Sequence, residues 1–361
     1  MMSLSQHSID GARAIINLGA LRRNVAWLSA LIAPSEVMLA VKADAYGHGL
    51  IPVARAGLEA GATSLAVLEV PVGLTLRDAG ITAPLLAWLH GRETPWRAGI
   101  EADIELGISG LWQLDAIEAC HAERPAVLHL KVDTGLSRNG ATREDWPRLV
   151  ERALDLERRG VVRIRAAWSH LADASIEDDR AALEEFHDAV AVAQSQGAHF
   201  ELLHLAASSA GIRMPEARFD RVRFGIAAYG FSPFDDADET PFDLEPVMSV
   251  DAPVLEITDE YVTVAFGYAD GLPPNLPRDA TVTLNGAALP IIEVGCETLR
   301  VLRGDTEIQP GDRVTIFGTG ERGDATAGQF ATWAQTIADE MITGVSWRVP
   351  RLYIDEERAR R

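Results

Sequence analysis

VMLAVKADAYG, residues 37–47, begins as an unbroken apolar run and ends in a polar corner that contains glycine. The same shape recurs in SLAVLEV (64–70), PLLAWLH (84–90), ADIELGIS (102–109), AVLHLKVDTG (126–135), VRIRAAWSHL (162–171), FELLHLAASS (200–209) and RVRFGIAAYG (221–230). Between these runs lie stretches with helical spacing, such as EDWPRLVERALDLERRG (144–160) and DRAALEEFHDAVAVAQSQG (179–197). Continuous apolar strands that alternate with amphipathic helices predict a parallel sheet covered on its outer face. Eight such units within about 200 residues predict a (β/α)8 barrel, an α/β fold whose active site lies at the C-terminal ends of its strands. An open doubly wound sheet is the alternative. It would want a GxGxxG turn after the first strand, and KADAYGHG does not supply one.

Outward from the barrel, FSPFDDADETPFDLEP (231–246) is rich in Pro, Asp and Glu and reads as a linker. Beyond it PVLEI, YVTVAF, ATVTLNGAALPIIEV and RVTIFG are β-rich runs divided by turns, with Asn285-Gly286 as a hairpin signal. One helix is expected at about 326–340. The chain therefore divides into a barrel over 1–235 and a smaller, mostly β domain over 246–361. The opening strand in AIINL has the option of joining the second domain.

Composition bounds the function. The 361 residues are 47% hydrophobic and 24% charged, as in folded globular proteins. Basic residues number 33 against 53 acidic ones, a net charge of −20 that disfavours nucleic acid and anionic lipid as partners. No apolar run of about 18 residues suggests a membrane span, and the start MMSLSQHSIDGARAIINL does not read as a signal peptide. Two cysteines, Cys120 and Cys296, make neither a disulfide framework nor a zinc motif, which points to a reducing compartment such as the cytoplasm.

Lys42 follows MLAV at the end of the first barrel strand. Spacing alone favours a solvated strand tip; the sharper reading is a desolvated amine able to form a Schiff base or take a proton. AVKADAYGHG resembles the lysine motif of the alanine racemase family, which uses pyridoxal 5'-phosphate (PLP). The resemblance continues in family order through KVDTGLSRNG (131–140), SHLA (169–172), HLAASSAGIRMP (204–215), VRFGIAAYGFSP (222–233), GYADGLPPN (267–275) and RVPR (348–351). It implies interconversion of L- and D-alanine by a homodimer whose active sites are shared between subunits. It also implies roles. Lys42 would carry PLP and serve as a base on one face of the substrate α-carbon. Tyr46, Ser208, Gly225 and Ile226 would hold the phosphate. Arg223 would face the ring nitrogen, His170 would lie against the ring, and Arg138 would reach the substrate carboxylate. Lys131 would be a carbamylated lysine that orients Arg138. No metal is implied.

The chain departs from the family pattern mainly in the second domain. The family places a second base, a tyrosine, in a short segment before GYADG. Here SVDAPVLEITDEYVTVAFGYADG has no tyrosine at the motif position and no room for the usual segment. Tyr268, Tyr261 and Cys296 are the substitutes available on the same domain, and Tyr268 is the first choice. Further departures are Cys296-Glu297-Thr298-Leu299 in place of Cys-Met-Asp-Gln, Ala207 in place of Asn, and Trp347 in place of a phosphate-binding tyrosine. A PLP enzyme with another substrate or a one-faced reaction, and a PLP-binding protein without racemase activity, are the alternatives these losses leave.

Overall fold

The computed structural model describes residues 11–234 and 243–355; part of the 231–246 segment read as a linker and the first ten residues lie outside them. Eight parallel strands form the first sheet: β2 (Glu36–Ala40), β3 (Ala62–Val67), β4 (Leu85–Ala87), β5 (Glu105–Ile108), β6 (Ala126–Lys131), β7 (Val162–Trp168), β8 (Leu202–His204) and β9 (Arg221–Phe224). Each of the eight apolar runs supplies one strand. Neighbours in the sequence are neighbours in the sheet, and β9 returns to pair with β2. The remaining gap between β8 and β9 is bridged by Asp220 N–H to Leu203 O at 3.1 Å and Arg223 N–H to Ala206 O at 3.0 Å, so the sheet closes into a barrel. Helices such as Trp146–Arg158 and Ile176–Ser195 bury their apolar stripes against its outside.

The second sheet is built from β10 (Met248–Ile257), β11 (Tyr261–Val264), β12 (Thr281–Leu284), β13 (Ala287–Val294), β14 (Leu299–Leu302), β15 (Arg313–Phe317) and β16 (Arg351–Ile354), together with β1 (Arg13–Asn17). Strand β1 lies between β10 and β16, antiparallel to the first and parallel to the second. From β1 in the second sheet the described chain winds the barrel and returns to that sheet at β10. Asn285 and Gly286, with φ of 50° and 85°, turn β12 into β13; both take the left-handed conformation that this tight hairpin requires. From β10 the chain turns directly into β11 at Thr258–Tyr261, closed by Thr258 N–H to Tyr261 O at 2.9 Å.

The single helix expected at 326–340 is two helices, Ala327–Ala334 and Ala338–Thr343. A capping box starts the first: Gln329 N–H donates to Thr326 Oγ1 at 3.2 Å, and Thr326 N–H to Gln329 Oε1 at 2.9 Å. Gln335 then adopts φ +56° and ends it. The break turns the second helix toward the barrel mouth, where Ala338 and Asp339 line the main cavity.

The two sheets meet at the corner after Lys42. Ala43, Asp44, Ala45 and Tyr46 all have φ between 52° and 55°, a left-handed turn that costs L-residues about 1–2 kcal/mol each. It closes on itself through Gly47 N–H to Ala43 O at 2.9 Å and Gly49 N–H to Asp44 O at 2.9 Å. Arg351 of β16 holds it from the second domain: Nε donates to Gly47 O at 2.9 Å, and the terminal nitrogens donate to the carbonyls of Val345, Ser346 and Val349 at 2.6–2.7 Å. A Cβ at Gly47 would lie 2.7 Å from Ile342 O, so the contact tolerates no side chain there. Arg351→Ala is expected to lower stability to urea by about 2 kcal/mol or more and to speed amide hydrogen exchange across 42–49. Unchanged exchange in that segment would refute the anchoring role.

Candidate active site

Every barrel residue singled out from the sequence lies at or just past the C-terminal end of a strand. Lys42 follows β2, Lys131 ends β6, Arg138 is on the loop after it, His170 follows β7, Ser208 follows β8, and Arg223 and Gly225 flank the end of β9. Together with Tyr46 and Ile226 they line one cavity of about 890 Å³.

At one wall Tyr46 and Gly225 are in close contact: a Cβ on Gly225 would sit 2.3 Å from the Tyr46 hydroxyl oxygen. The glycine is needed to keep that hydroxyl in the wall. Ser208 Oγ lies beside it and accepts from Gly225 N–H at 3.3 Å and Ala227 N–H at 3.5 Å. Tyr46 is buried against Tyr229, ring centroids 4.6 Å apart, and burial raises its phenol pKa, so the hydroxyl stays protonated as a donor.

Arg223 is buried, and among the described residues it pairs with no carboxylate. Its terminal nitrogens donate to Ser169 O and Leu205 O at 2.8 Å, and to Nδ1 of His204 and of His170 at 3.0 Å. Burial, with Arg138 adding to it, pulls its pKa down to about 9. Because Arg223 can only donate, Nδ1 of His170 is an acceptor and its proton lies on Nε2. Burial, then Arg223, Arg138, Lys131 and Lys42, hold His170 neutral, its pKa well below the ordinary value.

Lys42 is half-buried; desolvation lowers its pKa, Asp339 opposes that, and Arg138 adds to it. Its Nζ lies 5.2 Å from the Tyr46 ring centroid. Lys131 is 4% exposed. Asp133, two residues further on, forms no ion pair with it. Its carboxylate accepts instead from the N–H groups of Gly135 and Ser137 at 3.1 and 3.0 Å. Burial first, then Arg223 and Arg138, bring Lys131 down to about 7, so near neutrality much of it is free amine. Arg138 is exposed at the mouth.

The second-domain residues stand elsewhere. Tyr268 is 52% exposed, and the neighbouring Cys296 raises its pKa. Tyr261 packs under Arg300, 5.1 Å from its ring centroid. None of Tyr268, Tyr261 and Cys296 lines the Lys42 cavity of its own chain. Trp347, at 82% exposure, does not line it either.

Sequence reading missed Trp168, His129, His204, Glu105 and Asp339. Trp168 is central: it stacks on His204 with centroids 5.3 Å apart, and Lys131 Nζ and the Arg223 guanidinium lie 4.7 and 5.0 Å from its ring. A signal existed for His129, two residues before Lys131 and so on the same face of β6.

Two family models match, alanine racemase N-terminal domain over residues 16–233 and alanine racemase C-terminal domain over 253–353. The chain belongs to the alanine racemase family. Alanine racemase of Thermobifida fusca is 38% identical over 367 residues, 95% of this chain and 98% of that protein. That of Salinispora tropica is 39% identical, over 96% and 99%. Among solved structures, alanine racemase from D-cycloserine-producing Streptomyces lavendulae superposes with a TM-score of 0.92 at 36% identity, over 96% of this chain and 98% of that one. The Bacillus anthracis alanine racemase with bound L-Ala-P gives 0.86 at 30% identity, over 95% of both chains.

Two buried histidines near the barrel mouth give the fold a pH dependence. Burial lowers His48, and likewise His90 beside Trp96, to about 4. The unfolded chain takes up protons below about 6.5 that the folded chain refuses, so stability is intact above that pH and falls toward pH 4. The loss between pH 7 and pH 5 should be about 1–2 kcal/mol per histidine. Urea midpoints at the two pH values measure it, and His90→Leu should flatten the slope.

Proposed function

We propose that the protein is a PLP-dependent alanine racemase that works as a homodimer with shared active sites. The observation that carries this reading is the convergence of Lys42, Tyr46, His170, Ser208, Arg223, Gly225 and Ile226 on one cavity. The donor set fits the cofactor. A desolvated amine stands beside a wall of hydroxyl groups and glycine backbone suited to a phosphate, and a buried arginine is available for a ring nitrogen. Relatives named alanine racemase, similar over nearly their whole length, support the reaction.

When bound, PLP supplies an electrophilic aldehyde and a conjugated ring that accepts the electron pair released as a bond to the α-carbon breaks. The protein does the rest. Tyr46, Ser208, Gly225 and Ile226 would hold the phosphate. Arg223 would offer the ring nitrogen a donor and no proton acceptor, so that the ring would be a moderate electron sink. His170, neutral and fixed in one tautomer, would lie against the ring. Arg138 binds the substrate carboxylate. Lys131 has the free amine that carbamylation requires, and as a carbamate it would orient Arg138. Lys42, its pKa lowered, moves a proton on and off the α-carbon from its own face.

The opposite face needs a second proton donor, and the chain's own cavity lacks a tyrosine there. Tyr268 of the partner subunit takes that role. Its exposure leaves it available to a neighbouring pocket. Two free thiols and the acidic surface suit a cytoplasmic enzyme.

Protein incubated with PLP and passed through a desalting column should keep a cofactor absorbance band, and Lys42→Ala should abolish it. No band in the unaltered protein would refute the cofactor assignment. In deuterated water the α-proton should exchange from both enantiomers of alanine. Tyr268→Phe should slow exchange from one enantiomer by about 10²–10⁴ and the other far less. Exchange from a single enantiomer in the unaltered protein would favour the second reading, a one-faced PLP reaction, which the missing tyrosine segment motivates.

A further inference from the structure

Inside the barrel, beneath Arg223, a chain of buried side chains crosses three strands. His204 of β8 accepts from Arg223 through Nδ1 at 3.0 Å. The other ring nitrogen of His204, Nε2, lies 2.8 Å from Nδ1 of His129 on β6. His129 Nε2 lies 2.7 Å from Oε2 of Glu105 on β5. His129 and His204 are fully buried, and Glu105 is 6% exposed. The second oxygen of Glu105 is in contact with Arg165 of β7. Arg165 reaches it from an irregularity in the strand: Leu128 pairs with Ile164 but His129 with Ala166, so Arg165 is the extra residue of a bulge. Bulges re-aim a side chain in this way.

Only one proton order satisfies these contacts. Arg223 has donors alone, so His204 Nδ1 carries no proton and Nε2–H donates to His129 Nδ1. His129 must then carry its proton on Nε2 and donate to Glu105, which must be a carboxylate. The charge states agree. Burial raises the Glu105 pKa, but His129, Arg165 and Arg221 outweigh it and hold it below the ordinary value. Burial holds both histidines neutral.

We propose that Glu105, His129 and His204 are positioning residues that fix the plane of the Arg223 guanidinium toward the cofactor pocket. Among the described residues no carboxylate contacts Arg223, which faces Arg138 and Lys131. The carbonyls of Ser169 and Leu205 hold one terminal nitrogen; the other meets His204 Nδ1, and the relay keeps that nitrogen an acceptor because ionised Glu105 at the far end demands the same proton order that Arg223 does. A reversed order would bring the N–H of Arg223 against an N–H of His204. With Glu105 neutral, either order becomes available to His129, and the acceptor under Arg223 is no longer guaranteed. Trp168, stacked on His204 at 18° between ring planes, stops that ring from tilting away. The part concerning the cofactor rests on the functional reading above; the proton order does not.

The test uses cofactor-free and PLP-loaded protein labelled with ¹⁵N-histidine. In the cofactor-free protein at neutral pH, His129 and His204 should both show a protonated Nε2 and a bare Nδ1. A protonated Nδ1 on either ring, or a doubly protonated ring, overturns the relay. Glu105→Gln keeps the size and removes the charge. It should mix the tautomers and weaken PLP binding, followed by its absorbance band, about tenfold or more. Unchanged tautomers with PLP affinity within about twofold would show a mere filler of the barrel and overturn the proposal. Should Glu105→Gln lack a native circular dichroism spectrum, His204→Asn decides. It cuts the chain to His129 and should weaken PLP similarly; affinity within about twofold of the parent again overturns the role. If the unaltered protein binds no PLP, the functional reading fails, while the tautomer measurement still decides the proton order.

Discussion

The left-handed turn after β2 is the constraint on which the site rests. Four consecutive residues, Ala43 to Tyr46, occupy a conformation that L-amino acids avoid. They cannot hold it by local hydrogen bonds alone, so strand β16 and helix Ala338–Thr343 press on it from the second domain, with Arg351 as the clasp. This turn aims Lys42 and Tyr46 into the cavity together. The second domain therefore shapes the candidate site even where its side chains do not line the cavity.

Electrostatics in the cavity follow from desolvation. Lys42, Lys131, Arg138 and Arg223 line a single space, within a protein whose net charge is −20. Removing these cations from water lowers Lys42, Lys131 and Arg223 alike. Four basic side chains face three carboxylates, Asp173, Asp179 and Asp339, around that cavity, and the basic groups are the ones suited to a phosphate and a carboxylate. The same crowding keeps His170 neutral. In the barrel interior below, the buried carboxylate of Glu105 is connected to Arg223 through two imidazoles rather than by direct contact.

The eight strands were legible because a parallel strand covered on both faces must be apolar throughout, and such runs stand out against amphipathic helices. Lys42 and Tyr46 were legible only through the motif they share with a family; their spacing alone does not separate a desolvated amine from a solvated strand tip. The single helix expected at 326–340 is two because the hydrophobic period runs through Gln335, where a left-handed backbone closes the first helix. Asp339 was missed for the same reason: the break sends it to the cavity.

The amino-acid order by itself determined the strand count, the two-part organisation, and which polar residues end the barrel strands, since these depend on local periodicity and on position relative to apolar runs. Tertiary structure alone decided that β1 joins β10 and β16, that a bulge at Arg165 meets Glu105, and that His129, His204 and Arg223 share a proton order. The side-chain contacts among Glu105, His129, Arg165, His204 and Arg223 join residues from 19 to 75 positions apart in the chain. Closing the barrel brings them within hydrogen-bond distance, and no local pattern encodes that closure.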